Sequence, residues 1–159
     1  MHPIVDISLS SVEFAFAPRL IMAVFLGAIM GLDRSIAGKH AGMRTYALVS
    51  LGSCVFAIVG TLASYELTSF NGTNPLQIAA SVVVGIGFIG SGLAAFRGEH
   101  PVELTTATGI WVVAAIGMAC GYGLFVIATT CTILGILIFS VLARTEHWLR
   151  VLWGDETTP

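Results

Sequence analysis

The sequence predicts an all-α, polytopic membrane bundle of about five transmembrane helices. Three observations carry that prediction. Charged residues make up 10% of the 159-residue chain, where soluble domains carry roughly 25%. Hydrophobic residues make up 56%, and the mean hydropathy is +0.92. The charges are clustered, and the runs between them are long enough to cross about 30 Å of hydrocarbon. Seven basic and nine acidic side chains cannot coat a soluble sphere of this size. A net charge of −2 gives no basic stripe for nucleic acid. The length suits a single domain, residues 1–159.

The first span is expected at about residues 11–32. Ser10 and Glu13 match a capping box before an apolar run. Pro18 either starts or kinks this helix. Arg19 interrupts it, and either snorkels outward or meets Glu66 or Glu13 near the outer face. The second span, residues 45–65, is the uncharged run from Thr45 to Tyr65. The third, residues 76–96, follows Pro75, whose missing N–H costs nothing at a first helical position, with Asn74 placed to cap. Leu104 to Ala143 is uncharged for 40 residues, too long for one crossing. Gly121-Tyr122-Gly123 permits a tight turn in its middle, giving spans at 104–120 and 124–143. These helices are apolar on every face, as membrane helices are. Buried strands last about 4–8 residues, and a membrane barrel would alternate polar with apolar.

The basic residues outside the spans fix an orientation. Arg34, Lys39 and Arg44 lie in the first connection, Arg97 in the third, and Arg144 and Arg150 in the tail. The second and fourth connections carry none. With five spans, all six basic residues fall on one side, which the positive-inside rule makes cytoplasmic. The N-terminus is therefore expected outside and the C-terminus in the cytoplasm. The opening MHPIVDISLS has neither a basic region nor a small-residue cleavage site, so no removed signal peptide is expected. Trp148 and Trp153, interleaved with His147, Arg144 and Arg150, suggest an interfacial anchor. Asn71-Gly72-Thr73 is a glycosylation sequon on an outer loop, and in a bacterial chain it signals only a turn.

Glycine crowds the third span, Val84-Gly85-Ile86-Gly87-Phe88-Ile89-Gly90-Ser91-Gly92. Gly85 to Gly90 formally matches a dinucleotide fingerprint, but that motif needs a preceding strand and a βαβ unit. Close helix packing is the favoured reading. Small residues four apart let backbones approach in lipid. Ser81 with Gly85, Gly87 with Ser91, Gly27 with Gly31 and Gly117 with Gly121 are such pairs. Gly90 and Gly92 add to the third span, which is expected at the bundle centre. The other reading is a helix that unwinds at a ligand site.

Asp33, Arg34, Lys39 and Arg44 surround the first connection. They form either a solvated loop that sets topology or an ion pair at membrane depth, Asp33 with Arg34 or Arg44. Thr105, Thr106 and Thr108 open the fourth span after His100-Pro101-Val102-Glu103. They either bond to their own turn or line a polar pocket with Asp33 and Arg34. Cys54, Cys120 and Cys131 fall inside spans without a CxxC pair and suit small packing roles. The four histidines have no metal-ligand spacing. HExxH, GxSxG and P-loop motifs are absent, so neither catalytic residues, nor a metal, nor a cofactor is expected.

Four blocks in order resemble the transmembrane domain of the MgtC/SapB family. They are Gly31-Leu32-Asp33-Arg34; Ala41-Gly42-Met43-Arg44-Thr45 with Leu48-Val49-Ser50-Leu51-Gly52; the glycine-rich Gly85 to Gly92; and Leu104-Thr105-Thr106-Ala107-Thr108-Gly109-Ile110-Trp111 running on to Gly121. The resemblance covers about residues 20–143, and its specificity lies in the blocks taken together. It implies a multi-pass protein of the bacterial inner membrane, linked to growth at low magnesium and to survival inside host macrophages. It implies action by binding other membrane proteins, such as the ATP synthase or transporters, rather than by moving magnesium. Carried over by position, the family's acidic–basic pair falls on Asp33 and Arg34. Its Gly-x-Arg-Thr element falls on Gly42, Arg44 and Thr45, and its threonine pair on Thr105 and Thr106. Many members continue into a cytoplasmic ACT-like domain. This sequence stops 16 residues after Ala143 and looks more like the short SapB type. Glu103 stands where the family often has glycine.

Two functions follow as expectations. The leading one is a non-enzymatic regulator that binds membrane proteins, or itself as a homo-oligomer, through glycine faces in the bilayer. The other is a small-ion transporter or channel formed by an oligomer, with Asp33, Arg34, Arg44 and Thr105 around its path.

Overall fold

In a computed structural model, residues 9–66, 75–95 and 104–153 are described, and all of their regular structure is helical. The order is α1 (Leu9–Ile36), α2 (Met43–Glu66), α3 (Pro75–Ala95), α4 (Leu104–Gly121), α5 (Phe125–Leu137) and α6 (Ala143–Trp153). A π-helical turn, Ile138–Leu142, joins α5 to α6. The all-helical expectation holds. Four stretches are long and apolar enough to cross a membrane: Phe14–Ile36, Met43–Ser64, Leu104–Gly121 and Phe125–Trp153. Gln77–Leu93 in α3 is a shorter apolar stretch.

Two helix ends show local sequence at work. α1 does not stop at Leu32 but runs through Asp33 and Arg34 to Ile36. It ends in a Schellman cap, with Gly38 at φ +66°. The Lys39 N–H donates to the Arg34 carbonyl and the Gly38 N–H to that of Ser35, so orphan carbonyls are satisfied. α4 ends the same way at Gly123, φ +77°, with Leu124 donating to Ala119 and Gly123 to Cys120. At the other end of α1, Ser10 lies within the helix rather than before it. Pro18 lies in its interior.

The centre of the bundle is α4, which packs against α1, α2, α3 and α5. This corrects the expectation that α3 holds that place. At Gly117 and Gly121 of α4, an added Cβ would run into the backbone of Ser50 and of Cys54 on α2. On α1, one at Gly27 or Gly31 would lie about 2.8 Å from Ser50 Cβ or Tyr46 Cβ. These four glycines let α1, α2 and α4 come into backbone contact. In α3, a Cβ at Gly85, Gly87 or Gly92 would meet nothing within 4 Å, and at Gly90 only Ala107 Cβ at 3.9 Å. Glycine brings helices together only where another helix presents a matching surface.

Small residues share the interior with large ones such as Tyr46, Met30 and Ile110, and many large side chains face outward. The buried set includes Ala23, Ala57, Ala114, Cys54, Ser50 and Ser53, while Phe88 and Val126 are about 80% exposed. Lipid tails are as apolar as leucine, so little drives large side chains inward, and close backbone packing decides the interior.

Candidate functional site

The last turn of α1 places Asp33 and Arg34 against the π-turn. Arg34 is 6% exposed. Its Nε and Nη2 both donate to Asp33 Oδ2, Nε at 3.1 Å. The other oxygen, Oδ1, accepts from the Ser140 hydroxyl at 2.9 Å. The guanidinium carbon lies 3.9 Å from the Phe139 ring centroid. Burying a cation is costly unless it is paired and hydrogen-bonded. Here a carboxylate holds one edge and an aromatic face covers the plane. The arginine also lies beside the negative end of the α1 dipole, where a cation is favoured. Asp33 is disfavoured there, and Arg34 with Ser140 offsets that.

The π-turn supplies both partners. One extra residue per turn changes which side chains face inward, and Phe139 is buried while Ser140 reaches Asp33. Tyr46 of α2, fully buried, completes the junction by donating from its hydroxyl to the Thr106 carbonyl at 3.0 Å. Gly109 makes room for that arrangement. A Cβ there would strike the Tyr46 hydroxyl and would lie 2.5 Å from Phe139 Cζ. The start of α2 is tied to α1 by the Met43 N–H donating to Ser35 Oγ at 2.9 Å.

A cleft of about 210 Å³ opens at this junction, lined by Arg34, Lys39, Thr105, Thr106, Phe139 and Glu146 among others. The structure thus brings Arg34, Thr105 and Thr106 together, with Asp33 behind Arg34. Thr106 is buried; Thr105 is exposed and accepts from the Thr108 hydroxyl through its carbonyl. Arg44 and Thr45 stand apart. They line a neighbouring hollow of about 430 Å³ with Ser35, Lys39, His40 and Gly42. Arg44 is exposed, and Asp33 pairs with Arg34. Among the described residues, no group of three or more His, Cys, Asp or Glu side chains is placed to hold a metal.

Sequence reasoning missed Tyr46, Gly109, Phe139 and Ser140. Tyr46 had a signal, being a polar aromatic at the start of the apolar run that follows Arg44 and Thr45. The others had none beyond their residue type.

Arg19, roughly 22 Å along α1 from Arg34 at 1.5 Å per residue, has a different partner. Its Nη1 donates to the Gly121 carbonyl at the end of α4, at 2.8 Å, and its guanidinium carbon lies 5.1 Å from the Phe16 ring centroid. It caps a helix C-terminus, where a cation is favoured. The Glu13 and Glu66 side chains, the Asn71 sequon, Asn74, Arg97, the residues 100–103 and the side chains of His147 and Arg150 lie outside the described residues.

Comparison with known proteins adds identity to this geometry. YhiD of Escherichia coli K12, provisionally named a magnesium transporter, is 40% identical over 128 residues, 79% of this chain and 60% of YhiD. Protein SrpB of Synechococcus elongatus is 38% identical over 146 residues, 85% of this chain and 80% of SrpB. Protein MgtC of Salmonella typhimurium is 37% identical over 131 residues, 82% of this chain and 53% of MgtC. The chain thus spans little more than half the length of MgtC and three fifths of YhiD. No solved structure matches. The model of the MgtC family matches residues 20–148, the stretch that contains the polar junction, the glycine contacts and the four long apolar spans' shared core, and the chain is a multi-pass membrane protein belonging to the MgtC family.

Proposed function

We propose that this protein acts without catalysis, by binding other membrane proteins or a second copy of itself within the bacterial inner membrane. The observation that carries this reading is the uncovered face of α3. Between α2 and α3 runs a groove of about 490 Å³, lined by Leu48, Gly52, Phe56, Val82, Gly85 and Ile89 among others. A Cβ at Gly52 or Gly85 would meet nothing within 4 Å. Uncovered small residues in a bilayer invite another helix. The family resemblance supports a role in adaptation to low magnesium, with partners such as the ATP synthase or transporters. The basic connections face the cytoplasm in this reading, with the N-terminus outside. Extraction in mild detergent followed by mass measurement tests it. An assembly heavier than one chain supports it; a strict monomer from which no membrane protein is recovered overturns it.

The provisional name of YhiD and the Asp33–Arg34–Ser140 cluster favour a second reading, passage of a small ion. Between that cluster and Arg19, the apolar side chains Ile110, Val113, Ala114 and Ile116 are buried and fill the interior. A path would therefore run between copies. Reconstituted protein would then move an ion, and Asp33→Asn would abolish the flux. Absence of flux for magnesium, protons and phosphate would exclude it.

A further inference from the structure

The cleft at Arg34 does not end at its polar residues. Thr105, Ile138 and Phe139 line it and also line a second cavity, of about 360 Å³, between α4 and α5. Beyond those three shared residues the two linings differ in character. The first holds Arg34, Lys39 and Glu146. The second holds Met30, Val112, Cys131, Leu134 and Gly135. A charged chamber and an apolar chamber thus lie side by side, with Thr105, Ile138 and Phe139 common to both linings.

We propose that this two-part cavity binds one anionic phospholipid, with its phosphate at Arg34 and Lys39 and an acyl chain along Val112 and Leu134. Arg34 is suited to the head. Asp33 takes its Nε and Nη2, and Nη1 makes no hydrogen bond among the described residues, so one donor of a buried cation remains for a phosphate oxygen. Lys39 is exposed at the rim and adds a second positive charge. Thr105 belongs to both linings, where head would meet tail. Basic pockets between membrane helices are recognised sites for lipid head groups. The tail chamber selects among occupants. A helix about 10 Å across would fill that volume in less than one turn, whereas a hydrocarbon chain runs its length. A free phosphate would leave it empty. Glu146, exposed on the head rim, opposes an anion and tunes the site downward.

The test is lipid retention. The full chain is reconstituted in vesicles of equal phosphatidylcholine and phosphatidylglycerol, extracted in mild detergent, and weighed intact with its bound lipid. One phosphatidylglycerol per chain is expected, favoured about fivefold over phosphatidylcholine, the size two basic side chains near an anionic surface supply after an opposing carboxylate. Lys39→Gln should cut that preference several-fold and Glu146→Gln should raise it; both residues are exposed, so the fold is not at issue. Thr108→Phe, at an exposed position lining the tail chamber, should abolish retention. Equal retention of the two lipids overturns the proposal. So does displacement by millimolar inorganic phosphate that Thr108→Phe leaves unchanged, because that would make the cleft a free-anion site.

Discussion

Gly117 of α4 and Gly85 of α3 have the same side chain, both lie in apolar helices, and they do opposite things. A Cβ at Gly117 would overlap the Ser50 carbonyl, whereas one at Gly85 would meet nothing within 4 Å. The first glycine is spent on the fold of this chain. The second lies on a face that none of the described residues covers. In a membrane, where burial of apolar area gives helices little reason to associate, close backbone approach is the main attraction. Glycine on an uncovered face therefore has a different meaning from glycine inside a contact. The division runs through the whole bundle, with α1, α2 and α4 interlocked and α3 glycine-rich toward the outside.

Substitutions can break or sharpen this contrast. The largest effect is expected for Gly117→Leu. Its side chain would have to displace α2 backbone, and overpacking of that kind costs roughly 3 kcal/mol or more. Loss of the folded, monodisperse fraction in detergent is the readout. Next comes Arg34→Met, which leaves Asp33 with only the Ser140 hydroxyl. Breaking a fully buried pair costs about 3–5 kcal/mol. The Asp33 side chain is 26% exposed, so about 2 kcal/mol is expected, read as a lower midpoint of denaturant unfolding in micelles. Asp33→Asn with Arg34→Met should recover part of it. A smaller loss, about 1 kcal/mol, is expected for Arg19→Gln, which weakens a charge-assisted bond to the Gly121 carbonyl. The smallest effect on stability belongs to Gly85→Ala. It removes a helix-interior glycine at a site with open space, and should raise stability by a few tenths to about 1 kcal/mol.

The same contrast separates what could be read in the sequence from what could not. Pro75, the Gly121-Tyr122-Gly123 turn and the uncharged run from Leu104 mark helix boundaries by local chemistry, and the helices start and stop near them. The end of α1 was misplaced because Asp33 and Arg34 look like the start of a loop. The stop signal is Gly38, a residue that only a capping argument would single out. Asp33 with Arg34 was legible as a pair, since ionised groups among apolar helices need one another. Their remaining partners were not. A π-turn carries no sequence mark, so nothing announced that Phe139 would cover Arg34 or that Ser140 would reach Asp33. Arg19 is expected either to snorkel outward or to meet a carboxylate; its bond to the Gly121 carbonyl was not legible, because every residue has a carbonyl. Position in the bundle was the least legible feature. Glycine density pointed to α3, but the centre depends on complementary surfaces across helices. Gly109, Gly117 and Gly121 have them and Gly85 does not.

The claim that α3 presents a docking face is tested most directly by Gly85→Leu, measured beside the wild-type chain for folded fraction and for the mass of the assembly extracted in mild detergent. The account predicts an unchanged folded fraction and a mass that falls to that of one chain. An assembly of unaltered mass, or a variant that unfolds as Gly117→Leu is expected to, would contradict it.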